Sequence, residues 1–183
     1  MAPTPCIDSV EENVIKLDNF SIHVFTPKSY TGLHGAIIAI HGGGWMLGDV
    51  LSVRRLYSNI ADEAGAVVVA PDYRLAPENV YDAGIDDCLE TVKYVFDHAD
   101  ELNIDPNKII LTGESAGGHL TLVTALGLVG TEYTLKGTLS LLKVNIVHNR
   151  YTSILKTVLL RNFTGISSNT RCQCTNAVLL CKR

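Results

Sequence analysis

The chain has 183 residues, 46% of them hydrophobic and 19% charged, with a formal net charge of −4. A disordered or collagen-like polypeptide would hold far fewer apolar residues or far more glycine, so both are excluded, and the length suits one domain. A mildly acidic chain offers no electrostatic footprint for nucleic acid, and no uncharged apolar run approaches the roughly 18 residues a membrane span requires.

The average conceals a break. Residues 1–130 carry 7 basic and 18 acidic side chains, whereas residues 131–183 carry 8 basic ones and a single acid, Glu132. All six prolines and 13 of the 15 glycines lie before residue 131, so the remainder has little of the usual turn chemistry. The opening Met1-Ala-Pro-Thr-Pro-Cys6 has neither a basic start nor an apolar run, and no secretory signal is expected. Five irregularly spaced cysteines (Cys6, Cys88, Cys172, Cys174, Cys181) suit a reducing compartment better than a disulfide framework. A cytoplasmic location is the expectation. Cys172, Cys174 and Cys181 lack zinc-like spacing, so no metal or other cofactor is expected.

In chain order, Val14–Leu17 and Ser21–Phe25 read as short strands flanking an Asp18-Asn19 turn, a hairpin. Ala36–Ile40 is a buried strand ending at His41. Ser52–Ala64 has helical spacing, with Val53, Leu56, Tyr57 and Ile60 on one face and Gly65 as its C-cap. Ala66–Ala70 is a continuous apolar run of the kind found in parallel strands covered on both faces. Asp82–Ala99 forms a second helix, with Ile85, Leu89, Val92 and Phe96 directed inward and Asp86-Asp87 on a solvated face. Lys108–Thr112 is the next strand and Ser115–Leu128 the next helix. Strands separated by helices imply an α/β domain with a mostly parallel sheet and helices on both faces.

Two segments carry chemistry. Gly113-Glu114-Ser115-Ala116-Gly117 is a G-x-S-x-G pentapeptide between a strand and a helix, the context in which its serine is lifted clear of the sheet as a nucleophile. His41-Gly42-Gly43-Gly44-Trp45 follows the strand Ala36–Ile40. Its bare backbone can turn N–H groups into a cleft, as an oxyanion requires, and no Gly-Lys-Ser/Thr follows to make it a phosphate loop. His41 reads as orienting this loop with Gly42, and Trp45 as packing against it.

His41-Gly-Gly-Gly-Trp-Met-Leu-Gly-Asp49, Asp72-Tyr-Arg-Leu-Ala-Pro-Glu78 and Gly113-Glu-Ser-Ala-Gly-Gly118 together resemble the hormone-sensitive lipase family of α/β-hydrolases, which includes arylacetamide deacetylases and carboxylesterases. The resemblance covers roughly residues 13–142, closing on Leu135–Leu142 as the strand after the nucleophile helix. It implies Ser115 as nucleophile, with the amides of Gly43, Gly44 and Ala116 as the oxyanion hole. It also implies a small-molecule ester as substrate and a structural role for Tyr73, Arg74 and Pro77. Glu114 stands where the family usually has aspartate.

A serine nucleophile needs a histidine base and an acid to orient it, following the serine in the order acid, then histidine. After Ser115 the chain holds no aspartate, one glutamate (Glu132) and two histidines, His119 and His148. His119 reads as a packed or solvent-facing helical residue, and Glu132 with His148 is the remaining pair. Residues 143–183 form a basic, poorly ordered tail unlike the family, which gives residues 1–142 the look of a C-terminally truncated hydrolase domain. Two readings of different class follow: a serine carboxylic-ester hydrolase, or an inactive hydrolase-like chain lacking the acid and the histidine. The sequence does not fix an oligomeric state.

Overall fold

The computed structural model describes residues 5–29 and 31–141, together with the backbone of residues 178–181. In order these form β1 (Val10–Lys16), β2 (Ser21–Pro27), β3 (His34–Ile40), α1 (Val50–Ala64), β4 (Val67–Asp72), α2 (Tyr81–Asp97), β5 (Ile104–Glu114), α3 (Ala116–Gly127), β6 (Gly137–Leu141) and β7 (Val178–Cys181). The strands make one sheet in the order β1-β2-β4-β3-β5-β6-β7. Its centre, β4-β3-β5-β6, is parallel, and the outer pairings β1/β2, β2/β4 and β6/β7 are antiparallel.

Side chains alternate across the central strands, so each strand serves two cores. Val67 and Val69 join Ile38, Ile40, Ile109 and Leu111 beneath Cys88, Val92 and Val95 of α2 and Leu120 of α3. Val68 and Ala70 join Phe25 and Ala39 beneath Val50, Tyr57 and Ala61 of α1. With a helical layer on either side, the mostly parallel α/β sheet expected from the strand–helix alternation is the one observed. Among the described residues no helix is long and apolar enough to cross a membrane.

Departures from the sequence reading have local causes. β1 begins at Val10 rather than Val14, because the polar run Glu11-Glu12-Asn13 belongs to an edge strand with one wet face. Glu12 is held there by His23 Nδ1 at 2.7 Å and Arg54 Nε at 2.8 Å. β5 extends back from Lys108 to Ile104 through Asp105-Pro106-Asn107. A register shift opposite His34 and Ala36 absorbs these residues, and the Asn107 amide donates to Asp105 Oδ1.

The inward faces of α1 and α2 are also turned from the apolar stripes. Leu56 is exposed, while α1 buries Val50, Tyr57, Ser58 and Ala61. α2 buries Ala83, Gly84, Asp87, Cys88, Thr91, Val92 and Val95, with Ile85, Leu89 and Phe96 only partly covered. Small residues let α2 approach the β4 end closely. Asp87 therefore lies fully buried, not solvated as its acidic neighbourhood suggests; its carboxylate takes the Arg74 amide, Nε and Nη2 at 2.7–3.1 Å.

Candidate active site

β3 and β5 are parallel neighbours, with Ile40 beside Gly113. The segments leaving their C-terminal ends therefore meet over the same edge of the sheet, where open α/β folds bind ligands. These are the two chemistry-bearing motifs of the sequence.

Ser115 caps α3 with φ 53° and ψ −120°, a region that non-glycine residues rarely occupy. The strained turn leaves it exposed, and its hydroxyl makes no hydrogen bond to another described residue. Glycine flanks it because space runs out. A β-carbon at Gly113 would strike the Gly117 backbone, and one at Gly117 would strike the carbonyls of Ile40 and His41. The start of α3 is thus seated directly on the end of β3. Ala116, first residue of the helix, has an amide with no preceding turn to bond, and the positive end of the helix dipole lies behind the serine.

The loop after β3 is held group by group. His41 is buried and stacks on Tyr73 with ring centroids 4.4 Å apart. The Tyr73 hydroxyl donates to the His41 carbonyl at 2.9 Å, and the Gly42 amide donates to Glu114 Oε1 at 3.2 Å. His41 Nδ1 lies 2.7 Å from the Gly42 carbonyl. A carbonyl only accepts, so Nδ1 carries the proton, and burial, which lowers the His41 pKa, keeps the ring neutral. The Gly43 carbonyl accepts from Leu47 N at 3.0 Å, and the Trp45 carbonyl from Ala76 N at 2.9 Å. Gly43 and Gly44 have φ of 136° and 64°, and among the described residues their amides donate to nothing.

An aromatic rim stands beside the serine. Trp45 packs edge-on against Tyr81 at 6.0 Å and His119 at 5.5 Å, toward α2 and α3 rather than on its own loop as expected. Tyr81 Oη and His119 Nδ1 are hydrogen-bonded at 2.9 Å. Burial lowers the His119 pKa. Met46, Leu47 and Val80 are exposed around this rim. Arg74 is engaged with Asp87, in keeping with a structural role, and Asp72 Oδ1 accepts the first amide of α1 at 3.0 Å.

Glu132 is not brought to Ser115. It follows the far end of α3, and a helix of 12 residues is about 18 Å long. Its neighbour Tyr133 contacts Asp97 and Phe96 at the end of α2, whereas Ser115 lies by the start of α2. His148, Cys172, Cys174 and the 143–183 tail lie outside the described residues, apart from the backbone of β7. Sequence reasoning missed Glu114, the Tyr73 hydroxyl and Tyr81 as parts of the site. All three stand in or next to the motif segments, which was the available signal.

A family model described as the alpha/beta hydrolase fold matches residues 37–153. The carboxylesterase NlhH of Mycobacterium tuberculosis is 37% identical over 119 residues, covering 63% of this chain and 37% of that protein. An arylesterase of Saccharolobus solfataricus is 32% identical over 126 residues, covering 68% and 41%. Among solved structures, a bacterial heroin esterase matches with a TM-score of 0.64 at 34% identity, covering 67% of this chain and 40% of its own. An AB hydrolase superfamily protein of Schizosaccharomyces pombe is 46% identical over 83 residues, with 24% of its length covered. The chain thus spans about a quarter to two-fifths of these curated relatives.

Proposed function

The chain belongs to the α/β-hydrolase family, in its hormone-sensitive lipase-like branch, and from that premise we propose that it is a serine carboxylic-ester hydrolase. The observation that carries this reading is the strained, exposed Ser115 beside a loop whose carbonyls are tied back while, among the described residues, the Gly43 and Gly44 amides donate to nothing. Ser115 Oγ attacks the ester carbonyl carbon, and the oxygen becomes an oxyanion received by the amides of Gly43, Gly44 and Ala116. Each such donor is worth about 3–4 kcal/mol of barrier. The C–O bond to the alcohol then breaks, the alcohol leaves with a proton, and water releases the acid from the acyl-enzyme.

The serine proton requires an imidazole. His41 Nδ1 is bonded to the Gly42 carbonyl and His119 Nδ1 to Tyr81, which leaves His148 as the candidate base, while the one carboxylate side chain after Ser115, Glu132, stands beyond the far end of α3. The Trp45–Tyr81 rim and the exposed Met46, Leu47 and Val80 suit an uncharged ester with an apolar acyl or aryl group. The relatives named carboxylesterase and arylesterase support the same chemistry. The test is hydrolysis of p-nitrophenyl acetate and butyrate by the purified chain. Turnover abolished in Ser115→Ala supports the reading, turnover unchanged in that variant refutes Ser115 as the nucleophile, and no turnover in either protein supports a non-catalytic hydrolase-like chain.

A further inference from the structure

We infer that Glu114 is a positioning residue for the oxyanion loop, linking the nucleophile turn to the amides that would meet the substrate; this rests on the esterase reading for its chemistry but not for its geometry. The peptide unit joining His41 and Gly42 is fixed at both ends: its oxygen accepts from the Tyr73 hydroxyl, and its N–H donates to Glu114 Oε1. The next unit, joining Gly42 and Gly43, has its oxygen held by His41 Nδ1. In a planar trans peptide the N–H points opposite to the C=O, so fixing these oxygens aims the Gly43 amide. Among the described residues, Glu114 supplies the tie that reaches across from β5. The others come from the loop itself, from Tyr73 and, at the Trp45 carbonyl, from the Ala76 amide.

Gly42 gives an independent sign of the same contact. Unlike Gly43 and Gly44 it has no positive φ, so its backbone alone does not call for glycine. A β-carbon at Gly42 would instead run into the Glu114 carboxylate and also come within 2.9 Å of the Glu114 carbonyl oxygen. The site at Gly42 is thus shaped to admit that carboxylate against the amide. Because Glu114 directly precedes Ser115, any shift of the nucleophile turn moves the loop with it, keeping hydroxyl and donors in register.

The experiment is amide NMR of the full chain labelled with 15N-glycine, alongside ester hydrolysis, for wild type, Glu114→Gln and Glu114→Ala. In wild type the Gly42 amide is expected to exchange slowly although it lies in an exposed loop. Glu114→Gln, which keeps an acceptor oxygen at the same reach, is expected to retain this protection and kcat within about 3-fold. Glu114→Ala is expected to lose the protection, move the Gly43 and Gly44 resonances, and lower kcat on the order of 10–100-fold with KM little changed, as for a displaced donor. A wild-type Gly42 amide exchanging at the rate of an unstructured chain overturns the inference without any variant. So does Glu114→Ala with unmoved Gly43 and Gly44 resonances. If no protein hydrolyses ester yet the resonances behave as expected, the esterase reading falls and the positioning role stands.

Discussion

Gly117→Ala sets two calculable effects against each other. Within a helix, alanine is favoured over glycine by about 1 kcal/mol, and the gain at the second residue of α3 is no larger than that. Against it, the new methyl would sit between the Ile40 and His41 carbonyls, well inside 3.0 Å, an approach real β-carbons essentially never make. The obstacles are backbone atoms of a central strand and cannot swing aside, so α3 must move. Overpacking of this kind costs roughly 1–3 kcal/mol. The net expectation is a loss of about 1–2 kcal/mol, or a Tm lowered by roughly 2–8 °C for a chain of this size. Because the shift separates Ser115 from the His41 loop, and a misplacement of about 1 Å costs on the order of 100-fold in rate, ester hydrolysis should fall far more than stability. Thermal unfolding and p-nitrophenyl ester kinetics on the same preparation measure both. A variant as stable and as active as wild type would refute the seating of α3 against the end of β3.

Asp87→Asn should lower Tm by several degrees, whereas Asp86→Asn, an exposed neighbour, should change stability by no more than about 0.5 kcal/mol; equal effects in thermal melts would contradict the buried Arg74–Asp87 pair. Asp49→Ala removes the side chain that accepts the Ser52 amide at 2.7 Å, and urea unfolding should show a loss of about 1 kcal/mol. The pKa values of His41 and His119 are lowered by burial, so the fold binds fewer protons than the unfolded chain below its ordinary histidine value of 6.5. The stability they contribute is therefore complete above about pH 6.5 and is lost as pH falls through their lowered values. Urea midpoints should drop on acidification through that window, and less steeply in His119→Gln; an identical slope in that variant would remove His119 from the account.

The strand–helix alternation and both motif loops were legible because each rests on local signals: continuous apolar runs, glycines at turns, and a serine between strand and helix. What escaped was set by tertiary approach. Leu56 and Ile85 look like core residues by hydropathy, yet the helices turn small residues such as Ala61, Ala83 and Gly84 to the sheet, which allows closer packing. Asp87 looks solvated because its charge is visible in sequence, while its partner Arg74 lies 13 residues earlier in an extended segment. The strand read as Lys108–Thr112 extends back to Ile104 because Asp105-Pro106-Asn107 is accommodated by a register shift against β3. Glu114 was legible as a departure from the family pattern but not as a contact, since Gly42 lies 72 residues away. Trp45 follows the same rule: its partners, Tyr81 and His119, come from two helices.

The central claim is that Ser115 is the group that takes up an acyl chain. Quenching the purified chain with acid during incubation with p-nitrophenyl acetate, then mapping the adduct by peptide mass spectrometry, tests it directly. The account predicts one acetyl group per chain, on the peptide bearing Ser115 and absent from Ser115→Ala. An adduct on any other residue, or an unmodified Ser115 while nitrophenol is being released, would contradict it.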